Sequence, residues 1–169
     1  PDMTQAWTAL GHCLRITEQY GKAVEPYTRS LEQLPDANIA QALGICAQKA
    51  EMYDTAISAY EQALNLDPTM VEARYNLSLS LMKAKRYADA VTSFEALRDL
   101  EGETYRMYYS LGLSYYYLGQ YDQALDAFDG AAELKETKAV LNNIGLVYEA
   151  KGDKVTAAKW YKMAKESGN

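Results

Sequence analysis

Apolar positions in residues 105–137 fall at the spacing of two amphipathic helices joined by a turn at Gly119-Gln120. Each predicted helix has one apolar stripe, because residues three, four and seven positions apart share a helix face. The stripe residues are Tyr108, Leu111, Gly112 and Tyr115 in the first helix and Ala124, Leu125, Phe128 and Ala131 in the second. One pair of helices cannot bury both stripes, so the pattern predicts further helices packed beside it.

The rest of the chain repeats this pattern with a period of 33–34 residues. A constant period of this length predicts a row of similar helical pairs that bury their stripes against one another. The predicted repeats cover residues 4–36, 37–70, 71–104, 105–137 and 138–169. Pro35 and Pro68 follow the second helix of their repeats, where a proline ends a helix.

The recurring residues resemble the tetratricopeptide repeat, which has Trp, Leu-Gly and Tyr on its first helix and Ala, Phe and Pro further on. In the first repeat these positions are occupied by Trp7, Leu10-Gly11, Ala23, Tyr27 and Pro35. The resemblance implies an all-α fold, a right-handed superhelical solenoid of helix-turn-helix repeats, forming a single domain over residues 1–169. It also implies a non-catalytic scaffold that binds a partner polypeptide in a concave groove lined by the first helices.

A glycine recurs in the middle of the first helix of four repeats, where it costs about 0.5–1 kcal/mol relative to alanine. These glycines are Gly11, Gly44, Gly112 and Gly145. A recurring cost indicates a recurring gain in packing. We expect the second helix to approach the first closely at the level of a recurring alanine, which is Ala23 in the first repeat and Ala124 in the fourth.

Composition and charge exclude several classes of function. The net charge is −6 without a basic cluster, which argues against a nucleic-acid partner. No apolar run reaches the length of a membrane helix, so we expect no membrane insertion. Two cysteines and one histidine are too few for a zinc or catalytic cluster made by this chain alone. We therefore expect no metal, no cofactor and no enzymatic activity.

The 15 tyrosines exceed what the repeat pattern needs, and four of the surplus tyrosines map to the predicted groove face. Exposed apolar patches mark interaction sites, and tyrosine is enriched among contact anchors. The predicted groove residues are Gln41, Tyr75, Leu79, Met82, Lys83, Arg106, Tyr109, Leu113, Tyr116, Tyr117 and Asn142. Bases outnumber acids on this face, which also includes His12 and Arg15, so we expect a peptide or amphipathic-helix partner with apolar anchors and one or two acidic residues. The alternative is that these tyrosines pack between neighbouring helices.

Other roles stay open. The array is also compatible with an assembly domain that self-associates through its C-terminal end near Trp160, or with a regulatory segment of a larger protein. The chain begins without methionine, from which we expect a fragment or a processed product. The expected absence of disulfides slightly favours the cytoplasm, and the alternative is an exported or periplasmic protein whose signal peptide has been removed. Some tetratricopeptide proteins clamp a chaperone's C-terminal carboxylate, but Gln41, Ile45 and Ser110 depart from that pattern.

Two local features lead to further expectations. Pro26 falls inside the second helix of the first repeat and predicts a kink or a delayed helix start. Cys13 and Cys46 occupy equivalent positions in adjacent repeats, which are too far apart for a disulfide. We expect both to be buried free thiols.

Overall fold

The computed structural model describes residues 3–167, and within this range the regular structure consists of ten α-helices. The helices are α1 Met3–Ile16, α2 Tyr20–Gln33, α3 Ala37–Lys49, α4 Tyr53–Leu66, α5 Val71–Lys83, α6 Tyr87–Glu101, α7 Tyr105–Tyr117, α8 Tyr121–Leu134, α9 Lys138–Ala150 and α10 Lys154–Glu166. The two helices of the 105–137 stretch and the turn at Gly119 lie where the apolar pattern predicts them.

Local chemistry explains where the helices begin and end. Side chains of Asp36, Thr104, Thr137 and Asp153 accept hydrogen bonds from backbone N–H groups in the first turns of α3, α7, α9 and α10. At the end of α7, Gly119 has a φ of 74°, and the N–H of Gln120 donates to the carbonyl of Tyr115 at 2.9 Å. A left-handed glycine with this bond closes a helix and starts a tight turn.

The chain divides into two compact units, unit 1 over Pro1–Lys85 and unit 2 over Arg86–Asn169. In unit 1, each of the helices α1 to α4 packs on the next helix in the chain, and α3 also contacts α5. In unit 2, helices α6 to α10 pack in the same manner, and α7 also contacts α9. Two odd-numbered helices therefore lie side by side in each unit, α3 with α5 in unit 1 and α7 with α9 in unit 2. The predicted single domain over residues 1–169 stays a prediction.

The recurring glycines lie against aromatic rings. A Cβ atom added to Gly112 would be 2.6 Å from two ring carbons of Phe128, and one added to Gly44 would be 2.6 Å from Tyr60. Gly11 and Gly145 have the same relation to Tyr27 and Tyr161. We expected the second helix to approach each glycine closely at the level of its alanine, and this was incomplete. The space beside each glycine is filled by an aromatic ring four residues after that alanine, on α2, α4, α8 or α10.

The two local expectations were only partly right. Helix α2 begins at Tyr20 and runs through Pro26 to Gln33, so the delayed start does not occur. Both cysteines are free thiols, but only Cys46 is buried, whereas Cys13 is exposed. The two equivalent positions differ because α1 makes its main contacts with α2, whereas α3 contacts α2, α4 and α5. Over residues 3–167, no helix has the length and apolarity required to cross a membrane.

Candidate partner-binding site

The eleven predicted groove residues all retain access to solvent. In unit 1, Lys83 is exposed and the other four are partly buried. In unit 2, Tyr117 is exposed and the other five are partly buried. Of the predicted apolar stripe of α7, Leu111 and Gly112 are buried, whereas Tyr108 and Tyr115 are partly buried. Burial alone therefore does not separate this stripe from the predicted groove face, and binding by the groove residues stays a prediction.

Three of the predicted anchors come together in unit 2. Leu113, Tyr116 and Tyr117 of α7 line a cavity of about 60 Å³. Phe128 of α8 and two residues of α9, Asn143 and Leu146, complete the lining. Since one water needs about 10–15 Å³, this space admits more than a single water molecule. We call it the α7–α9 pocket.

Asn143 gives this pocket its one polar feature of note. The Nδ2 atom of Asn143 is buried and has no hydrogen-bond partner among the described residues. An unpaired buried donor costs about 1–3 kcal/mol, because the group loses water and gains nothing in exchange.

Ring contacts hold the tyrosines of the pocket in place. Tyr117 stacks on Tyr87 of α6, with ring centroids 4.8 Å apart, and Tyr116 meets Tyr117 edge-on at 5.5 Å. About two turns before Tyr116 on α7, Tyr109 packs edge-on against Phe128, with ring centroids 6.0 Å apart. Aromatic rings with few rotatable bonds lose little conformational freedom on binding, which suits a preformed contact surface.

Arg106 and Asn142, the polar residues predicted for unit 2, lie on α7 and α9. The guanidinium of Arg106 donates to both carboxylate oxygens of Glu101, at 3.0 and 3.2 Å. Part of its charge is therefore neutralised within the protein. Asn142 is partly buried but does not line the pocket, whereas the next residue, Asn143, does.

A second arrangement of polar groups lies in unit 1 around Tyr27, which is fully buried. The Tyr27 hydroxyl and His12 Nδ1 are hydrogen-bonded at 2.9 Å, and the two rings meet edge-on at 5.5 Å. Burial raises the pKa of Tyr27, and a hydrogen bond from the Arg15 guanidinium acts against that rise. Burial likewise raises the pKa of the nearby Cys46 thiol. We call His12, Arg15 and Tyr27 the Tyr27 cluster.

A larger cavity of about 280 Å³, which was not predicted from the sequence, opens between α6, α7 and α8. Its walls include Glu95, Arg98, Tyr108, Tyr115 and Asp126. The Tyr115 hydroxyl donates to Glu95 at 3.1 Å, and burial together with this bond raises the pKa of Tyr115. Acidic and basic groups are mixed in the lining, so no single ligand charge is favoured.

The sequence identified the α7 side of the pocket but did not identify Phe128 or Asn143 as part of its lining. Phe128 was assigned to the repeat framework, and Asn143 was passed over for its neighbour Asn142. A helical wheel drawn for α9 alone cannot show which of two adjacent amides faces the pocket. Within residues 3–167, no three His, Cys, Asp or Glu side chains converge as a metal-binding group.

Comparisons with protein families give the repeat type. The family model described as "Anaphase-promoting complex, cyclosome, subunit 3" matches residues 49–131, and a "Tetratricopeptide repeat" model matches residues 109–169. Both matches show tetratricopeptide repeats, as the resemblance of the recurring residues implied. No match was found among curated proteins.

Solved structures of similar fold include several MamA proteins. One is described as a crystal structure of MamA protein; it is 26% identical over 98% of this chain and 91% of its own, with a TM-score of 0.88. Another, MamA from Desulfovibrio magneticus, is 23% identical over 98% of this chain and 95% of its own, with a TM-score of 0.86. The predicted all-α fold of tetratricopeptide type is confirmed.

Proposed function

Because this chain is built of tetratricopeptide repeats, we propose that it is a non-catalytic protein–protein interaction scaffold that binds a partner polypeptide at the α7–α9 pocket. The observation that carries the proposal is an accessible apolar pocket with one unpaired donor. Leu113, Tyr116 and Leu146 offer apolar contact, and Asn143 offers the donor. Binding sites of this kind combine apolar walls with a few polar groups that fix orientation.

The unpaired donor favours one form of partner over the other. Most main-chain carbonyls of an amphipathic helix are already bonded within the helix. An extended segment has free carbonyls and can place one at Asn143 Nδ2 while a neighbouring side chain enters the pocket. We therefore favour an extended peptide with a short aliphatic residue. The predicted unit 1 residues Gln41, Tyr75, Leu79, Met82 and Lys83 form a second candidate contact surface.

Peptide selection with a matched pair of variants tests this proposal. Leu146 lies in the pocket wall and is 41% exposed, whereas Leu134 lies in the same unit outside the pocket and is 51% exposed. Peptides selected from a displayed random library on the wild type should bind Leu146→Glu at least about tenfold more weakly, which corresponds to roughly 1.4 kcal/mol. Leu134→Glu should bind them like the wild type. Equal affinity for all three proteins, measured by fluorescence anisotropy, would exclude the pocket as the site.

Self-association through α10 is a second candidate function, favoured by exposed apolar residues on that helix. Val155 and Met163 are exposed, whereas Trp160 is partly buried against the core of unit 2. An assembly surface would therefore involve Met163 more directly than Trp160. If the wild type is a dimer by light scattering and Met163→Glu is a monomer, this function is supported. A monomeric wild type at high concentration would exclude it.

A further inference from the structure

Helix α1 of unit 1 exposes a face that is almost wholly apolar. Of its exposed side chains only Gln5 is polar, and the others are Met3, Ala6, Ala9, Leu10, Cys13 and Ile16. Ala6, Leu10 and Cys13 follow one another at helical spacing, so they form one stripe along the helix. We call these three residues the α1 stripe. Contiguous exposed apolar surface of this kind marks an interaction site.

The first helix of every other repeat has an equivalent stripe, and there it is buried. The leucine before the recurring glycine shows the contrast, since Leu10 is 44% exposed and Leu43 is 6% exposed. The equivalent stripes are Ile39, Leu43 and Cys46 in α3, Ala73, Leu77 and Ser80 in α5, Met107, Leu111 and Ser114 in α7, and Val140, Ile144 and Val147 in α9. All of these side chains are buried except Ile39, which is partly buried.

The cover of these buried stripes comes from the preceding second helix. Helices α3, α5, α7 and α9 pack on α2, α4, α6 and α8, respectively. One turn after Cys46, a Cβ atom added to Gly21 of α2 would lie 3.8 Å from the Cβ of Ala50. Helix α1 packs on α2 of its own repeat, and within residues 3–167 no second helix precedes it. The neighbour that the α1 stripe lacks is therefore a helix of the second type.

Helix α10 of another copy does not fit this role. It is the second helix that no first helix follows within the described residues. At the positions of Ile57 and Leu64 in α4, it has Ala158 and Lys165. A lysine ammonium placed on an apolar stripe would lose water without gaining an opposite charge. The exposed side of α10 includes four lysines, whereas that of α1 includes no charged residue.

We propose that the α1 stripe docks an amphipathic helix of a partner polypeptide, which packs on α1 as α4 packs on α5. The stripe of α5 is the template because it shares the order of alanine, leucine and a small residue with the α1 stripe. On α4, the Tyr60 ring packs at Gly44 of α3, so we assign the adjacent buried residues Ile57 and Leu64 to the side that covers α5. The partner helix accordingly presents two aliphatic side chains seven residues apart.

This docking face uses no residue of the α7–α9 pocket. Its partner is a helix, whereas the proposed function favours an extended peptide at the pocket. The two proposals therefore have separate probes, and either can fail alone.

A peptide with the α4 sequence provides the probe. It covers residues 51–68 and has a lactam bridge between positions 58 and 62, away from Ile57 and Leu64, to stabilise the isolated helix. The matched control peptide has Ile57→Glu and Leu64→Glu. In fluorescence anisotropy, the first peptide should bind the wild-type protein in a saturable manner. The control peptide should bind at least about tenfold more weakly.

Protein variants locate the bound peptide. Leu10→Glu places a charge in the α1 stripe and should weaken binding of the α4 peptide at least about tenfold. Leu134→Glu changes an exposed leucine of unit 2 and should bind the peptide like the wild type. Leu146→Glu, which alters the α7–α9 pocket, should also bind it like the wild type. Circular dichroism verifies that each variant is folded.

The two thiols give a readout on the unaltered protein. Cys13 is exposed and Cys46 is buried, so iodoacetamide should alkylate Cys13 much faster than Cys46. With the α4 peptide at about ten times its Kd, alkylation of Cys13 should slow about tenfold, because only the free protein reacts. The control peptide should leave the rate unchanged.

Saturable binding that Leu10→Glu weakens, together with protection of Cys13, supports the proposal. The proposal is wrong if the α4 peptide does not bind, if folded Leu10→Glu binds it equally, or if Cys13 reacts at the same rate in its presence. It is also wrong if light scattering shows a wild-type dimer that Leu10→Glu converts to a monomer, since a second copy then occupies the face.

Discussion

Tyr27 in α2 and Phe128 in α8 occupy the same place in their repeats, and each ring is fully buried against a glycine of the preceding helix. They differ by a single oxygen atom. The Tyr27 hydroxyl has two polar neighbours, His12 and Arg15. Phe128 has no polar group to satisfy, and it borders an apolar pocket beside Tyr116.

The comparison shows how one repeat frame produces sites of opposite character. A buried hydroxyl must be paired, so it requires polar neighbours, whereas a phenyl ring permits apolar ones. The position 12 residues before the ring follows this rule, with Arg15 before Tyr27 and Tyr116 before Phe128. The buried aromatic residue of a repeat thus influences whether the side chains around it are polar or apolar.

The largest expected effect tests whether the two rings are packed alike. Gly11→Ala and Gly112→Ala each add a Cβ within 2.8 Å of a buried ring, so each should lower the free energy of unfolding by about 2–3 kcal/mol. Gly21→Ala is the matched control, because its Cβ would lie 3.8 Å from the Cβ of Ala50, and it should be neutral or stabilising. Urea denaturation measures all three. A loss in only one of the first two would break the comparison.

A smaller effect is expected when the hydroxyl is removed. Tyr27→Phe leaves His12 Nδ1 without its hydrogen-bond partner and removes the oxygen beside the Arg15 guanidinium, and should cost about 1–2 kcal/mol of unfolding free energy. Tyr60→Phe leaves only the Gln48 amide unpaired and should cost less. Equal losses in denaturant melts would mean that the Tyr27 cluster contributes no more than a single neutral hydrogen bond.

Asn143→Leu should have the opposite sign. Replacing an unpaired buried donor with an apolar side chain should raise the free energy of unfolding by about 1 kcal/mol and, at the same time, weaken binding of selected peptides. Asn142→Leu, the adjacent amide outside the pocket, should do neither. If Asn143→Leu destabilises the free protein, Nδ2 is paired in solution and the proposed donor role is wrong.

The smallest effect concerns alkaline pH. Burial and the bond to Glu149 raise the pKa of Tyr161 to about 12, above the ordinary value of 10.0. The neutral phenol therefore favours the folded state, with its full contribution below pH 10 and a progressive loss as pH rises towards 12. Solvent screening keeps the effect below about 1 kcal/mol, since the residue is only partly buried. Tyr161→Phe should flatten the fall in stability over this range, and an unchanged slope would assign it to other groups.

Much of the fold could be read from periodic positions alone. The recurrence of Leu-Gly and of the aromatic residue gave the helices, their turns and the accessible face of α7, because these depend on spacing within one repeat. The glycine–ring contact was anticipated only as a close approach. Which atom fills the space beside the glycine depends on the rotamer of a residue in another helix, and the spacing of residues along the sequence does not specify a rotamer.

The sites divide along the same line. The sequence by itself determined the repeat type and that Leu113, Tyr116 and Tyr117 share one accessible face, since helix geometry converts their spacing into direction. Only the tertiary structure decided that Asn143 and not Asn142 lines the pocket, and that the buried Tyr27 hydroxyl is hydrogen-bonded to His12. Burial and hydrogen-bond pairing are properties of several helices together, and no one segment of the chain encodes them.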